Sequence, residues 1–161
     1  MHINSAILAG EPNYSTVGEI DLGALQLGHR QSIDFDWFRA EGFDPLVLRT
    51  RIPDFEIRQT RADTLHGSVK GVSVSFIGYP YPHLETPLHW PEVGIHLASI
   101  KDIACMKLAA IGQRGARKDF IDLAAIGQTG MGLPEMLELF RVKYSVRDVG
   151  HVLVALTYFD D

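Results

Sequence analysis

The pattern of apolar and polar residues signals mainly strands as far as about residue 98, and from Ser99 onward it takes a period of 3.6. The sharpest alternation is Ile33-Asp34-Phe35-Asp36-Trp37-Phe38, which predicts a strand from Ile33 to Phe38 with two aspartates on one face. Further strands are predicted over Phe55 to Thr60, Thr64 to Val69 and Val72 to Ile77, with a short one near Gly94 to Leu97. Lys70-Gly71 suits a hairpin turn between two of them. Tyr79-Pro80-Tyr81-Pro82 is expected to be extended, because each proline disfavours helix at the residue before it. One helix is expected over Asp44 to Arg51, and another ends at Gly28.

Ser99-Ile100-Lys101-Asp102 has the form of a capping box. It opens a helix running to Ile111, which Gly112 ends. A second helix covers Ala116 to Ile126. After the loop Gly127 to Gly132, a third opens with Pro134 and carries an apolar stripe of Leu133, Met136, Leu137, Phe140 and Tyr144. A fourth starts at Asp148, with Val149, Val152, Leu153 and Leu156 as its stripe; both stripes read as core packing. The pattern predicts an α+β fold, a mixed or mostly antiparallel sheet followed by a helical half. With 161 residues the chain suits one domain, strand-rich over 1–98 and helical over 99–161.

Composition narrows the class. The chain is 46% hydrophobic and 22% charged, the balance of an ordinary soluble globular protein, with no membrane span. The start lacks a basic segment followed by a long apolar stretch, so the protein is expected to be cytoplasmic. A net charge of −5 argues against broad nucleic-acid binding while permitting a local basic patch. Cys105 is the only cysteine, which excludes an intrachain disulfide and any multi-cysteine metal site. The seven histidines show no HExxH or similar ligand spacing, so most are read as surface or structural.

The candidate chemistry begins at Asp34 and Asp36. Aspartate is a poor strand former, and two neighbouring carboxylates repel unless a cation lies between them. Hard oxygen ligands of this kind suit Mg²⁺, held by one or two carboxylates plus substrate phosphates; the plainer reading is a strand with one wet face. The first long helix adds Lys107 to the face carrying Ile100, Ile103, Ala104 and Ile111. A lysine there either snorkels to the edge or meets an anion, since an unpaired buried ammonium costs several kcal/mol. The next segment supplies Arg114, Arg117, Lys118, Asp119 and Asp122. These read either as a solvated first turn, with Asp119 favoured by the helix dipole and Lys118 and Asp122 at i,i+4 spacing, or as a cluster that holds triphosphate oxygens and orients an attacking hydroxyl.

Gly28-His29-Arg30-Gln31-Ser32-Ile33-Asp34-Phe35-Asp36 resembles the LGHR-S-(V/I)-DFD signature of the AbiEii/AbiGii toxin family of nucleotidyltransferases, from abortive-infection and toxin–antitoxin systems. Three further segments resemble the family in order. They are Val72 to Phe76 with the Tyr79 to Pro82 turn, the pair Lys107-Leu108-Ala109-Ala110-Ile111…Arg114-Gly115 and Lys118-Asp119-Phe120-Ile121-Asp122-Leu123, and Tyr158-Phe159-Asp160-Asp161. The resemblance implies a nucleotidyltransferase fold and transfer of a nucleoside monophosphate from a nucleoside triphosphate to a hydroxyl of RNA such as tRNA, or of a protein. It implies Asp34 and Asp36 as Mg²⁺ ligands, Lys107 on phosphate and Asp119 as the other acidic residue important for activity. It further implies that Arg30, Ser32 and Lys118 join Lys107 at the nucleotide, that Arg114 and Asp122 support them, and that a cognate antitoxin is the partner.

The chain departs from the family in two places. Where relatives carry a Gly-Gly-Thr or Gly-Ser turn that cradles phosphates, an ungapped alignment puts Glu19, Ile20 and Asp21. Where many nucleotidyltransferases carry a third carboxylate, the candidate strand offers Ser73 and Ser75. These departures define the alternative, a catalytically degenerate module of the same fold that acts through protein or RNA contacts. A metal-dependent phosphatase or nuclease ranks last, for want of the additional histidine and acidic motifs.

Overall fold

The computed structural model describes residues 17–20, 27–29, 34–92 and 94–158, and for 17–20 and Asp34 the backbone alone. The described strands are β1 (Val17–Ile20), β2 (Asp34–Arg39), β3 (Phe55–Arg61), β4 (Thr64–Val69), β5 (Val72–Gly78), β6 (Leu88–Trp90) and β7 (Ile95–Leu97). The described helices are α1 (Pro45–Arg51), α2 (Ile100–Arg114), α3 (Arg117–Gln128), α4 (Leu133–Tyr144) and α5 (Gly150–Leu156). This is the expected α+β architecture, with strands first and helices in the C-terminal part. The chain divides into two compact units, one of Met1–Asp21, Ser32–Pro80 and Pro87–Ala98, the other of Leu22–Gln31, Tyr81–Thr86 and Ser99–Asp161.

The first unit is built on a mixed seven-stranded sheet in the order β3-β4-β5-β2-β1-β7-β6. The pairs β2/β5 and β1/β7 are parallel and the others antiparallel. Asp44 caps α1 by accepting from the amides of Leu46 and Val47. Leu48 and Ile52 then pack with Phe55, Leu65, Val74 and Phe76 as the core on one face of the sheet. Phe35 and Trp37 pack against that core, so the alternation of β2 leaves positions 34 and 36 on the opposite face. The hairpin at Lys70-Gly71 forms with φ of 50° and 81°, the left-handed pair that a type I′ turn requires. At Gly67 a side chain would collide with the Glu56 carbonyl and the Phe55 ring, so glycine admits the close approach of β3.

The second unit packs α3, α4 and α5 around α2. Ile103, Ala104, Cys105, Leu108 and Ile111 of α2 are all buried, so the helix is apolar on more than one side, as a central helix must be. Leu27 is helical and Gly28 takes φ 62°, as expected of a helix end at Gly28. Two expectations need correction, and two short strands go beyond the sequence pattern. Helix α2 passes through Gly112 to Arg114 and ends at Gly115, whose φ of 58° lets its amide reach the carbonyls of Ala110 and Ile111. The short strands β1 and β6 carry too few residues for a legible alternation, and their ladder partners stabilise them. Leu133 and Leu153, placed on core stripes by periodicity, are 40% and 43% exposed, because their helices bury only part of the apolar arc.

Candidate active site: a polar sheet face and a braced lysine

In the first unit, register carries the acids of β2 into a polar row. Asp36 stands beside Ser75 on β5, Ser75 beside His66 on β4, and His66 beside Gln59 on β3. The neighbouring row runs from Asp34 through Ser73 and Ser68 to Glu56. Residues paired across strands share a face, so the side opposite the core holds carboxylate, hydroxyl and imidazole groups. Arg58 donates to Ser73 Oγ at 3.2 Å, and Ser68 Oγ donates to Glu56 Oε2 at 3.3 Å. Glu19 is the Cα partner of Asp36 on the other side, in β1. The positions aligned with the family's phosphate turn, Glu19 and Ile20, therefore belong to an extended strand.

In the second unit, Lys107 meets anions. Its Nζ lies 2.9 Å from Asp122 Oδ2 and 3.6 Å from Asp119 Oδ1, and its side chain is 12% exposed. Both aspartates are fully buried on α3, so the reading of a solvated first turn fails for them. Arg114, in the last turn of α2, clamps Asp119 through Nε at 3.0 Å and Nη2 at 3.2 Å, the fork geometry that guanidinium offers a carboxylate. His29 Nε2 contacts Asp122 Oδ1 at 2.7 Å. Each carboxylate thus touches Lys107 on one side and a second nitrogen base on the other. Lys118 is half-buried in the first turn of α3. Arg30 and Ser32 lie outside the described residues, as do Phe159, Asp160 and Asp161 of the terminal motif; Tyr158 is exposed.

Periodicity had no means of finding His29 or His66. Neither histidine has ligand-like sequence spacing, and each reaches the candidate groups through the fold: His29 across 93 positions of chain, His66 by strand register. Among the described residues no three His, Cys, Asp or Glu converge as a metal cage. Asp36, with Ser75 beside it on β5, presents hard oxygen groups, a donor type that could hold Mg²⁺ but does not suit a structural zinc.

A second buried ion pair involves the N-terminal turn of the same helix. Lys143 Nζ lies 2.6 Å from Asp102 Oδ1 and donates to the Pro82 carbonyl at 2.8 Å. Asp102 also accepts from the Leu84 and Glu85 amides and from the Ser99 hydroxyl. Ser99 in turn accepts from the Asp102 amide, which bears out the helix start read from sequence. Burial pushes the Asp102 carboxyl up, but the hydrogen bonds from Lys143, Leu84 and Ser99 and the Lys143 charge outweigh it and hold the group below its ordinary value. Burial raises the Cys105 thiol to about 12, the state of an unreactive core residue. An open apolar groove of about 600 Å³, lined by Phe120, Ile121, Leu133, Met136 and Leu156 among others, includes none of the charged groups around Lys107.

Comparison with known proteins identifies the family. Residues 59–160 match the family model described as nucleotidyl transferase AbiEii toxin, type IV toxin–antitoxin system. That span contains the whole Lys107, Arg114, Asp119 and Asp122 cluster and begins after the Asp34/Asp36 strand. An uncharacterized protein of Aquifex aeolicus (strain VF5) is 38% identical over 144 residues, covering 85% of this chain and 69% of the relative. No helix among the described residues is long and apolar enough to cross a membrane. The braced lysine and its acidic partners are thus embedded in a matched stretch covering most of the chain, and the protein belongs to the AbiEii family of nucleotidyltransferase-like toxins.

Proposed function

We propose that this chain is a Mg²⁺-dependent nucleotidyltransferase that moves a nucleoside monophosphate from a nucleoside triphosphate to a hydroxyl of RNA, tRNA included, or of a protein. In that reaction the bond from the α-phosphorus to the pyrophosphate oxygen breaks, a new ester bond forms to the acceptor oxygen, and the acceptor's proton passes to solvent. Asp34 and Asp36 hold the ion, which when bound neutralises charge on the attacking and leaving oxygens. Lys107 contacts phosphate, and Arg30, Ser32 and Lys118 assist at the nucleotide. Asp119, with its oxygens engaged by Arg114 and Lys107, acts by holding the ammonium in place. The observation that carries the reading is Lys107 itself, a nearly buried ammonium fixed between two fully buried carboxylates. Such pre-orientation gives a phosphate contact its value, because no reorganisation is needed when charge moves. A cognate antitoxin is the expected protein partner, following from the family.

One observation favours a second reading. Glu19 and Ile20 occupy a paired strand where relatives carry the phosphate turn, and a chain lacking that turn acts as a non-catalytic module through protein or RNA contacts. Calorimetric titration with each of the four ribonucleoside triphosphates, with and without Mg²⁺, separates the two. Metal-dependent binding that weakens in Asp36→Asn supports the enzyme. A folded protein that binds none of the four fits only the module.

A further inference from the structure

His29 is the group in the Lys107 cluster that no role has yet absorbed. Its ring is 15% exposed, and Nε2 contacts Asp122 Oδ1 at 2.7 Å. Its Nδ1 is buried and has no hydrogen-bond partner among the described residues. A histidine kept for core packing ordinarily satisfies both nitrogens, since an unmet buried polar atom costs roughly 1–3 kcal/mol. Among the described residues the ring's polar engagement is with Asp122. The other oxygen of that carboxylate faces Lys107 Nζ at 2.9 Å. The chain His29–Asp122–Lys107 mirrors Arg114–Asp119–Lys107, in which the outer cation clamps a carboxylate that in turn touches the same ammonium. Arg114 and His29 come from different segments of the second unit. Two separate outer clamps on one lysine are more than its neutralisation requires, because either carboxylate alone balances the charge.

The geometry points to His29 as a positioning residue for Lys107, acting through Asp122 by donating Nε2–H to Oδ1. This rests on the proposed phosphate role of Lys107. The bond holds the Asp122 carboxylate in one rotamer, so that Oδ2 fixes the direction from which the ammonium is held. An orienting partner of this kind typically changes the affinity or activity of the group it supports by roughly 10–100-fold.

The test compares His29→Leu, which removes the donor, with His29→Gln, whose amide nitrogen reproduces the Nε2 donor. His29→Asn, too short to reach Asp122, replaces the leucine variant should that one fail to fold. The first readout needs no nucleotide: acetylation of Lys107 in the folded protein by sulfo-NHS acetate, followed by peptide mass spectrometry. Lys107 is expected to react several-fold faster in His29→Leu and at the parent rate in His29→Gln. Unchanged reactivity in the leucine variant, or equal acceleration in both, overturns the assignment. The second readout is Mg²⁺-dependent triphosphate affinity, expected to fall roughly tenfold in His29→Leu and to be restored in His29→Gln. Equal affinity of parent and His29→Leu overturns the inference. A parent that binds no triphosphate defeats the phosphate role instead, and the acetylation result then decides the positioning of Lys107 by His29.

Discussion

Lys143 and Asp102, 41 positions apart in the chain, form a fully buried ion pair with Nζ 2.6 Å from Oδ1. Lys143 also holds the Pro82 carbonyl, and Asp102 holds the Leu84 and Glu85 amides, so the pair ties the segment from Pro82 to Glu85 to α2 and α4. Removing one partner leaves the other charge buried without compensation. Lys143→Met is expected to destabilise the protein by about 3–5 kcal/mol, measured by urea denaturation. The double variant with Asp102→Asn is expected to cost less than the sum of the two single changes, as residues in one network do.

The same pair makes acid stability predictable. The folded Asp102 pKa lies below its ordinary 3.8, so the carboxylate contributes stability that is fully present above that value and is lost as pH falls through the folded pKa. Thermal unfolding followed from pH 6 downward, to about one unit below the ordinary carboxylate range, is expected to show a decline that Asp102→Asn flattens. An identical slope in the two proteins would assign the acid sensitivity to other carboxylates.

Asp36 and Asp119 are expected to fail in different ways. Asp36 lies on the polar sheet face, whereas both oxygens of Asp119 are bonded to Arg114. Asp36→Asn is expected to abolish the Mg²⁺-dependent part of triphosphate binding. Asp119→Asn is expected to lower triphosphate affinity by roughly tenfold, about 1.4 kcal/mol, while the response to Mg²⁺ persists. Calorimetry at several Mg²⁺ concentrations distinguishes these outcomes, and loss of the Mg²⁺ response in Asp119→Asn would make Asp119 a metal ligand.

Gly67 tests the packing behind the candidate site. A methyl group there meets the Glu56 carbonyl and the Phe55 ring, so β3 must move away or the ring must leave the core. Gly67→Ala is expected to cost roughly 1–3 kcal/mol by overpacking, read as a lowered denaturation midpoint. Gly71→Ala meets no neighbouring atom, and carries only the strain of its φ of 81°.

Cys105 reports on the integrity of the helical unit. With its thiol raised to about 12 and fully buried, it is expected to resist Ellman's reagent at pH 8 in the folded protein and to react at once in denaturant. Rapid reaction without denaturant would show that α2 opens under native conditions.

The sequence by itself determined what depends on near neighbours. Alternation across Asp34 to Phe38 specified a strand with its acids on one face, Ser99 specified the start of α2, and Lys70-Gly71 specified a hairpin, because each signal is contained within a few residues whose backbone geometry it constrains. Four ordered motifs also resemble the family whose model matches residues 59–160. Lys107 stood out as a lysine on an apolar face, but periodicity left open whether it reaches water or an anion. Tertiary structure alone decided that it meets Asp119 and Asp122, that His29 and Arg114 clamp those carboxylates, and that Lys143 pairs with Asp102. It also set Ser75 beside Asp36 and His66 beside Ser75, through a strand order in which β5 lies between β2 and β4. The physical reason is range: a turn or cap is settled by local dihedral angles, whereas a buried charge is tolerated only where the whole fold brings a partner to it, and no local period records which partner that is.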